Sequence, residues 1–553
     1  VTVTDSDHAQ SYARGADTPP LLRETIGVNL ERTSAHFPDH EALVSCAQGL
    51  RYTYAELGRA VDELARGLIA AGLNAGDRVG IWSPNRVEWT LVQYATAKLG
   101  VILVNINPAY RTAELEYALQ QSGCRMLIAA PAFKTSDYRG MVAEVRDRLT
   151  ELRSVVFFDS PEWEELLASG SGVAADELDR RGAELDPEDA INIQYTSGTT
   201  GFPKGATLSH LNILNNGFFV GVSCRYTHED RVCIPVPFYH CFGMVLGNLA
   251  CTTHGATMVI PAPAFDPEAT LAAVSTEACT SLYGVPTMFI AELDHPRFAD
   301  YDLSSLRTGI MAGSPCPVEV MRRVIDRMHM SEVGIAYGMT ETSPVSTQTA
   351  FDDPLAKRVG SVGRVGPHLE IKIVDPDTGE TVARGERGEF CTRGYSVMKG
   401  YWNDPERTRE AVDRDGWMHT GDLATMDADG YANIVGRSKD MVIRGGENLY
   451  PREIEEFLYA HPDIADVQVV GVPDERYGEE LMAWIIPRAG ASPDRDEIER
   501  FSRGKIAHHK IPRYVKLTDS FPMTVTGKVQ KFKLREQAVE ELGLGDAAAM
   551  ETA

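Results

Sequence analysis

Three observations predict an α/β fold with a large N-terminal domain of layered sheets and a small, mobile α/β C-terminal domain. Short apolar runs alternate with helical segments through the first two-thirds of the chain, which is the pattern of α/β layers with largely parallel strands. Near Gly421 the texture shifts to a stretch dense in Gly, Asp and turn residues, after which a new helix begins at Pro451. The length, 553 residues, exceeds what one core serves when domains run to about 100 to 200 residues. A boundary near Lys439 divides the chain into residues 1–438 and 439–553.

Each element has a local reason. Thr53 and Glu56 stand at capping-box spacing, and Leu57, Val61, Leu64 and Leu68 follow on one helical face. The runs RVGIW from 78, VILVNI from 101, RMLIAA from 125 and SVVFFD from 154 read as strands between helices. Pro451 suits a first helical turn, and residues 452–458 continue as good helix formers.

Hydrophobic residues at 43% and charged residues at 24% place the chain among ordinary globular proteins. A net charge of −25 argues against a nucleic-acid partner, which would call for surplus Lys and Arg. One segment breaks the trend, because residues 500–535 hold ten Lys or Arg against a single acid, Asp519. That cluster is either a solvated face or a dock for a small polyanion. Nine cysteines form no C-x-x-C pair and no Cys/His grouping at zinc spacing, so reduced, mostly buried thiols are expected. The first residues show no basic start followed by an apolar stretch, and no run of 18 apolar residues occurs. A cytoplasmic location without a membrane span is expected.

The sequence YTSGTTGFPKG, residues 195–205, looks built for phosphate. Backbone amides beside glycine and the hydroxyls of Thr196, Ser197, Thr199 and Thr200 can donate to phosphate oxygens near Gly198, while Lys204 adds charge. A Walker loop would place Lys directly after its second Gly and a hydroxyl next, and this order is absent. The spacing of a dinucleotide fingerprint is absent too.

The spelling of this loop resembles the phosphate loop of the adenylate-forming (AMP-binding) superfamily, and further motifs recur in order. YGMTETSP from Tyr337, TGDLATMDADGYANIVGR from Thr420, GRSKDMVIRGGENLYPREIEE from Gly436 and PMTVTGKVQKFKLRE from Pro522 each resemble a motif of that superfamily. The resemblance implies that Tyr337 stacks on adenine with Gly338 beside it, that Thr340 touches phosphate and that Glu341 holds Mg²⁺. It places Gly313, Ser314 and Pro315 at the nucleotide, Asp422 and Arg437 on the ribose, Lys439 at a hinge and Lys528 as the catalytic lysine. ATP and Mg²⁺ are the implied cofactors, with coenzyme A as co-substrate.

The residue types suit the chemistry independently. Activating a carboxylate means neutralising charge as it attacks the α-phosphate of ATP and pyrophosphate departs. A lysine answers that need, and Mg²⁺ prefers few protein oxygens plus phosphate.

Only 25 residues follow Lys528, too few for a carrier domain, so a separate thiol acceptor is expected. Arg444, Gly445 and Gly446 resemble the segment that lines the pantetheine tunnel of acyl-CoA synthetases. Arg503, Lys505 and Lys510 are candidate partners for coenzyme A phosphates by charge alone. Phe238, Tyr239, His240, Phe242, Val285, Met288 and Met311 offer apolar walls with no fixed cation for a second carboxylate. A hydrophobic monocarboxylic acid is expected, and residues 107–128 and 133–138 look most like the medium-chain fatty acyl-CoA ligase branch. The rival expectations are an aryl- or alkanoate-activating ligase that passes its adenylate to an amine or carrier protein, and a degenerate ATP-binding sensor. A homodimer is left open.

Overall fold

The computed structural model describes residues 10–174, 176–196, 203–314, 316–437, 440–444, 447–474, 476–524 and 527–544, without the side chains of residues 437, 447 and 448. Among the described residues no helix is long and apolar enough to cross a membrane.

The first predicted helix spans Tyr54–Ala70 and begins at the expected cap. Thr53 accepts from the Glu56 amide, and the Glu56 carboxylate accepts from the Thr53 amide at 2.8 Å. Leu57, Val61, Leu64 and Leu68 are all 0% exposed, so one face of this helix is wholly buried against its neighbours. All four predicted strands form, as Arg78–Trp82, Ile102–Asn105, Met126–Ala129 and Ser154–Phe157. They lie parallel as neighbours in a seven-stranded sheet. The same sheet continues through Ala190–Thr196 to Lys204–Ser209, an antiparallel pair that carries the two ends of the phosphate motif.

A second sheet of nine strands runs parallel through its centre, where Ser281–Gly284, Thr308–Ala312 and Glu332–Gly338 are successive neighbours. Parallel strands buried on both faces read as continuous apolar runs, and residues 308–312 are buried throughout. A third, antiparallel sheet of five strands includes Gly388–Gly394, Met418–Met426 and Ala432–Arg437.

Beyond residue 441 a separate five-stranded sheet forms around Ile464–Asp474 and Gly478–Pro487. It has an apolar core of its own, including Val442, Ile454, Leu458, Val467 and Ile485, and the helix Pro451–Leu458 starts on its proline as expected. The expected boundary residue, Lys439, lies outside the described residues.

The basic segment 500–535 reads differently in three dimensions. Arg503 donates to Glu499 at 2.6 Å, Arg513 to Asp474 at 2.8 Å and Arg535 to Glu479 at 2.8 Å, while Lys510 pairs with Glu453 and Lys516 with Glu541. Lys505 lies over the Phe501 ring at 4.0 Å. Acids outside the segment, from Glu453 to Glu541, offset this run of charge, so it is not the unopposed cationic face that its local balance implied.

Candidate active site

Three strand ends and one turn from the C-terminal unit build the site. Strand Ala190–Thr196 ends at Thr196, and Lys204, its cross-strand partner, starts the next strand. The intervening Ser197, Gly198, Thr199 and Thr200 lie outside the described residues, as do Pro315, Gly445 and Gly446 and the side chain of Arg437.

Glu341 sits in a one-turn helix after strand Glu332–Gly338 and is only 4% exposed. Tyr401 donates its hydroxyl to Glu341 Oε1 at 2.8 Å, and the Thr196 hydroxyl approaches the same oxygen at 3.4 Å. Lys204 Nζ stands 5.0 Å from the centre of the Tyr401 ring. Burial, and then the Glu341 charge, raise the Tyr401 phenol above its ordinary pKa, so it stays a donor. A buried carboxylate flanked by Thr196, with Thr340 beside it in sequence, is a hard-oxygen donor set that suits Mg²⁺. Tyr401 escaped the sequence reading, because a Tyr after Gly in a short strand carries no local signal of its own.

The adenine and ribose motifs meet directly, with Tyr337 donating to Asp422 Oδ2 at 2.8 Å and Asp422 only 7% exposed. Asp422 pairs across strands with Arg437, so the two expected ribose residues share one rung of the third sheet.

Lys528 comes from the C-terminal unit. A tight turn positions it: the Gly527 amide donates to the Thr524 carbonyl at 3.0 Å, and the Lys528 amide donates to the Thr524 hydroxyl at 3.0 Å. Thr287, at the start of helix Pro286–Leu293, donates to the Gly527 carbonyl at 3.3 Å and holds this turn against the N-terminal unit. A Cβ placed on Gly313 would stand 3.2 Å from Val285 and 3.7 Å from Lys528 Cε, and Gly313 has a φ of +88°. Glycine is required there for its backbone conformation, and a Cβ would press on Val285 while meeting the lysine only at ordinary contact distance.

His240 caps a short turn by accepting from the Phe242 amide at 3.2 Å. Burial first, then the nearby Lys528 charge, lower its pKa to about 3, so the imidazole is neutral. Phe238, Phe242, Val285 and Met288 are buried and share one apolar core, with half-buried Tyr239 beside His240. Met311 is placed differently from expectation. Strand alternation puts Ile310 and Ala312 in the core with Phe238 and Val285, whereas Met311 points to the other face and packs with Leu282 and Phe289. Arg444 lies apart on the C-terminal sheet, paired with Glu480 and 4.3 Å from the Tyr477 ring.

A buried carboxylate, a strand pair carrying the two ends of a phosphate motif and a lysine turn from the C-terminal unit make a donor set suited to a nucleotide. The chain belongs to the AMP-binding enzyme family: residues 30–402 match that family, and residues 453–528 match the AMP-binding enzyme C-terminal domain. It is 50% identical to YngI of Bacillus subtilis (strain 168), provisionally named an acyl-CoA synthetase, over 95% of this chain and 99% of that one. To the mitochondrial medium-chain acyl-CoA ligase ACSF2 of Danio rerio it is 45% identical, over 97% of this chain and 91% of the relative. Among solved structures, anthranilate CoA ligase AuaEII in complex with anthranoyl-AMP superposes with a TM-score of 0.86 at 27% identity, over 95% of this chain and 99% of that one.

Proposed function

We propose that this enzyme joins a hydrophobic, medium-chain monocarboxylic acid to ATP, giving acyl-AMP and pyrophosphate, and then transfers the acyl group to coenzyme A with release of AMP. The observation that carries this reading is the approach of the Lys528 turn to Gly313 and Val285, beside neutral His240. There the lysine charge can bridge the incoming carboxylate and the α-phosphate. Thr196, Lys204 and the rest of the loop 197–202 hold the outer phosphates, Tyr337 and Gly338 face adenine, and Asp422 with Arg437 engages the ribose. Gly313, Ser314 and Pro315 line the nucleotide, with Thr340 at phosphate.

Glu341, positioned by Tyr401, would hold Mg²⁺, which supplies charge neutralisation on the phosphates. The apolar walls formed by Phe238, Phe242, Val285 and Met288, with no cation among them, favour an acid with a single carboxylate. Residues 439–553 then turn about Lys439 and bring the Arg444–Gly446 segment to coenzyme A for the second step.

The test is ATP-dependent pyrophosphate release with acids from two to sixteen carbons and with aromatic acids, with and without coenzyme A. The expected optimum is a medium-chain acid, with thioester formed only when coenzyme A is present. Lys528→Ala is expected to lower adenylate formation by about 10²–10³-fold while still converting supplied acyl-AMP to thioester. Equal loss of both half-reactions would sink the lysine assignment, and amide formation in place of thioester would sink the acceptor.

A further inference from the structure

Glu389, Cys391 and His419 converge in the third sheet, outside the acid and nucleotide sites. Their ligand atoms all lie within 4.8 Å of one another. The sheet dictates this meeting. Glu389 and Cys391, two apart on one strand, share a face, and Cys391 stands directly opposite His419 on the next strand. Between the Glu389–Leu423 and Cys391–His419 pairs the register shifts, so that Thr420, Gly421 and Asp422 bulge out. Gly421 has a φ of +70°, and its amide donates to Glu389 Oε1 at 2.9 Å.

The two imidazole nitrogens do different things. His419 Nδ1 faces Glu389 Oε2 at 2.8 Å and the Cys391 sulfur at 3.5 Å, whereas Nε2 faces Asp413 Oδ2 at 3.7 Å. A nucleophilic Cys–His–acid relay needs the thiol and the acid on opposite nitrogens and an accessible sulfur. Here both share Nδ1, and Cys391 is 0% exposed. The arrangement instead matches a metal-binding histidine, with one nitrogen turned to the ligand set and the other oriented by a carboxylate.

We propose that Cys391, His419 Nδ1 and Glu389 form a binding site for a borderline-soft divalent cation of the zinc class, with Asp413 orienting the imidazole through Nε2. One thiolate, one imidazole and one carboxylate is a donor set that selects zinc or cobalt over magnesium or calcium. Ligand bonds of about 2.0–2.3 Å at tetrahedral angles put donor atoms about 3.3–3.6 Å apart, which brackets the Cys391–His419 separation. The Glu389–His419 pair must open by about 0.5 Å to reach that range. Glu389 and His419 are 18% and 32% exposed in their side chains, so solvent reaches the cluster from their side. Lys372, paired opposite Cys391 on its other side, holds its ammonium 4.4 Å from the Trp417 ring. On binding, the thiol and any proton on Nδ1 are released to solvent.

Cobalt(II) titration of the full-length protein tests this. One equivalent with a thiolate-to-cobalt charge-transfer band is expected, displaced by Zn²⁺, lost in Cys391→Ser, and weakened about tenfold or more in Asp413→Ala. The second His/acid cluster, His461, Asp463 and Glu497, has no thiol and cannot give that band. X-ray absorption of the zinc-loaded wild type should show one sulfur among nitrogen and oxygen neighbours, a readout independent of how the variants fold. Absence of the band in the wild type, its survival in Cys391→Ser, or a zinc shell without sulfur would each overturn the site.

Discussion

Single side chains set the chemistry of the site, and Tyr401 shows how much rests on one hydroxyl. Its 2.8 Å bond to Glu341 restrains a buried carboxylate, and a hydrogen bond to a charged group contributes about 1.5–3 kcal/mol. Tyr401→Phe is therefore expected to lower kcat/KM for adenylate formation by about 10- to 100-fold with the fold intact, read by pyrophosphate release at varied Mg²⁺. The motifs that hold Glu341, Asp422 and Lys528 were legible in the sequence, because their spelling resembles that of a known superfamily. Tyr401 and Thr287 were not, because their partners are 60 and 240 residues away and nothing local marks the meeting. Met311 packs apart from the other expected wall residues for a simpler reason, since strand alternation turns it to the opposite face from Ile310 and Ala312.

At the scale of elements, helix Pro451–Leu458 docks the C-terminal unit through its carboxylate face. Glu456 accepts from the Val318 amide at 2.9 Å, at the first residue of helix Val318–Arg327, and Arg452 donates to the Ile434 carbonyl. The dock leaves Glu456 with a raised pKa, caused first by burial. Removing a carboxylate at a helix N-terminus costs about 0.5–2 kcal/mol. Glu456→Ala should loosen this orientation and slow adenylate formation by about 2- to 30-fold, while transfer from supplied acyl-AMP to coenzyme A is unchanged or faster. Parallel slowing of both half-reactions would mean that the contact is merely structural. The capping box at Thr53 and the four parallel strands were legible because capping and apolar runs are local signals. Helix Val318–Arg327 meeting Glu456 across 138 residues was not.

Across the whole molecule, stability should carry a pH signature from Glu292. It is 1% exposed, both carboxyl oxygens lack a hydrogen-bond partner among the described residues, and burial raises its pKa well above the ordinary carboxylate value of 4.5. The folded state therefore keeps a proton that the unfolded chain releases above about pH 4.5, so this contribution is full below that pH and is lost as pH rises. Glu292→Gln should raise Tm more at pH 8.5 than at pH 5, and an equal gain at both would disprove a protonated Glu292. The proposed hinge belongs to this scale as well. Lys439→Pro, which restricts φ, should trap one orientation and spare only one half-reaction. What the sequence determined by itself was local or spelled out: α/β class, helix caps, strand runs and the ordered motifs. Only the tertiary structure decided which distant charges offset the basic segment, that Tyr401 holds Glu341, and that Cys391 and His419, 28 residues apart with no zinc-like spacing, stand face to face. Sheet pairing and domain docking bring together residues that no sequence interval relates, because register and packing are settled by the whole core rather than by neighbours along the chain.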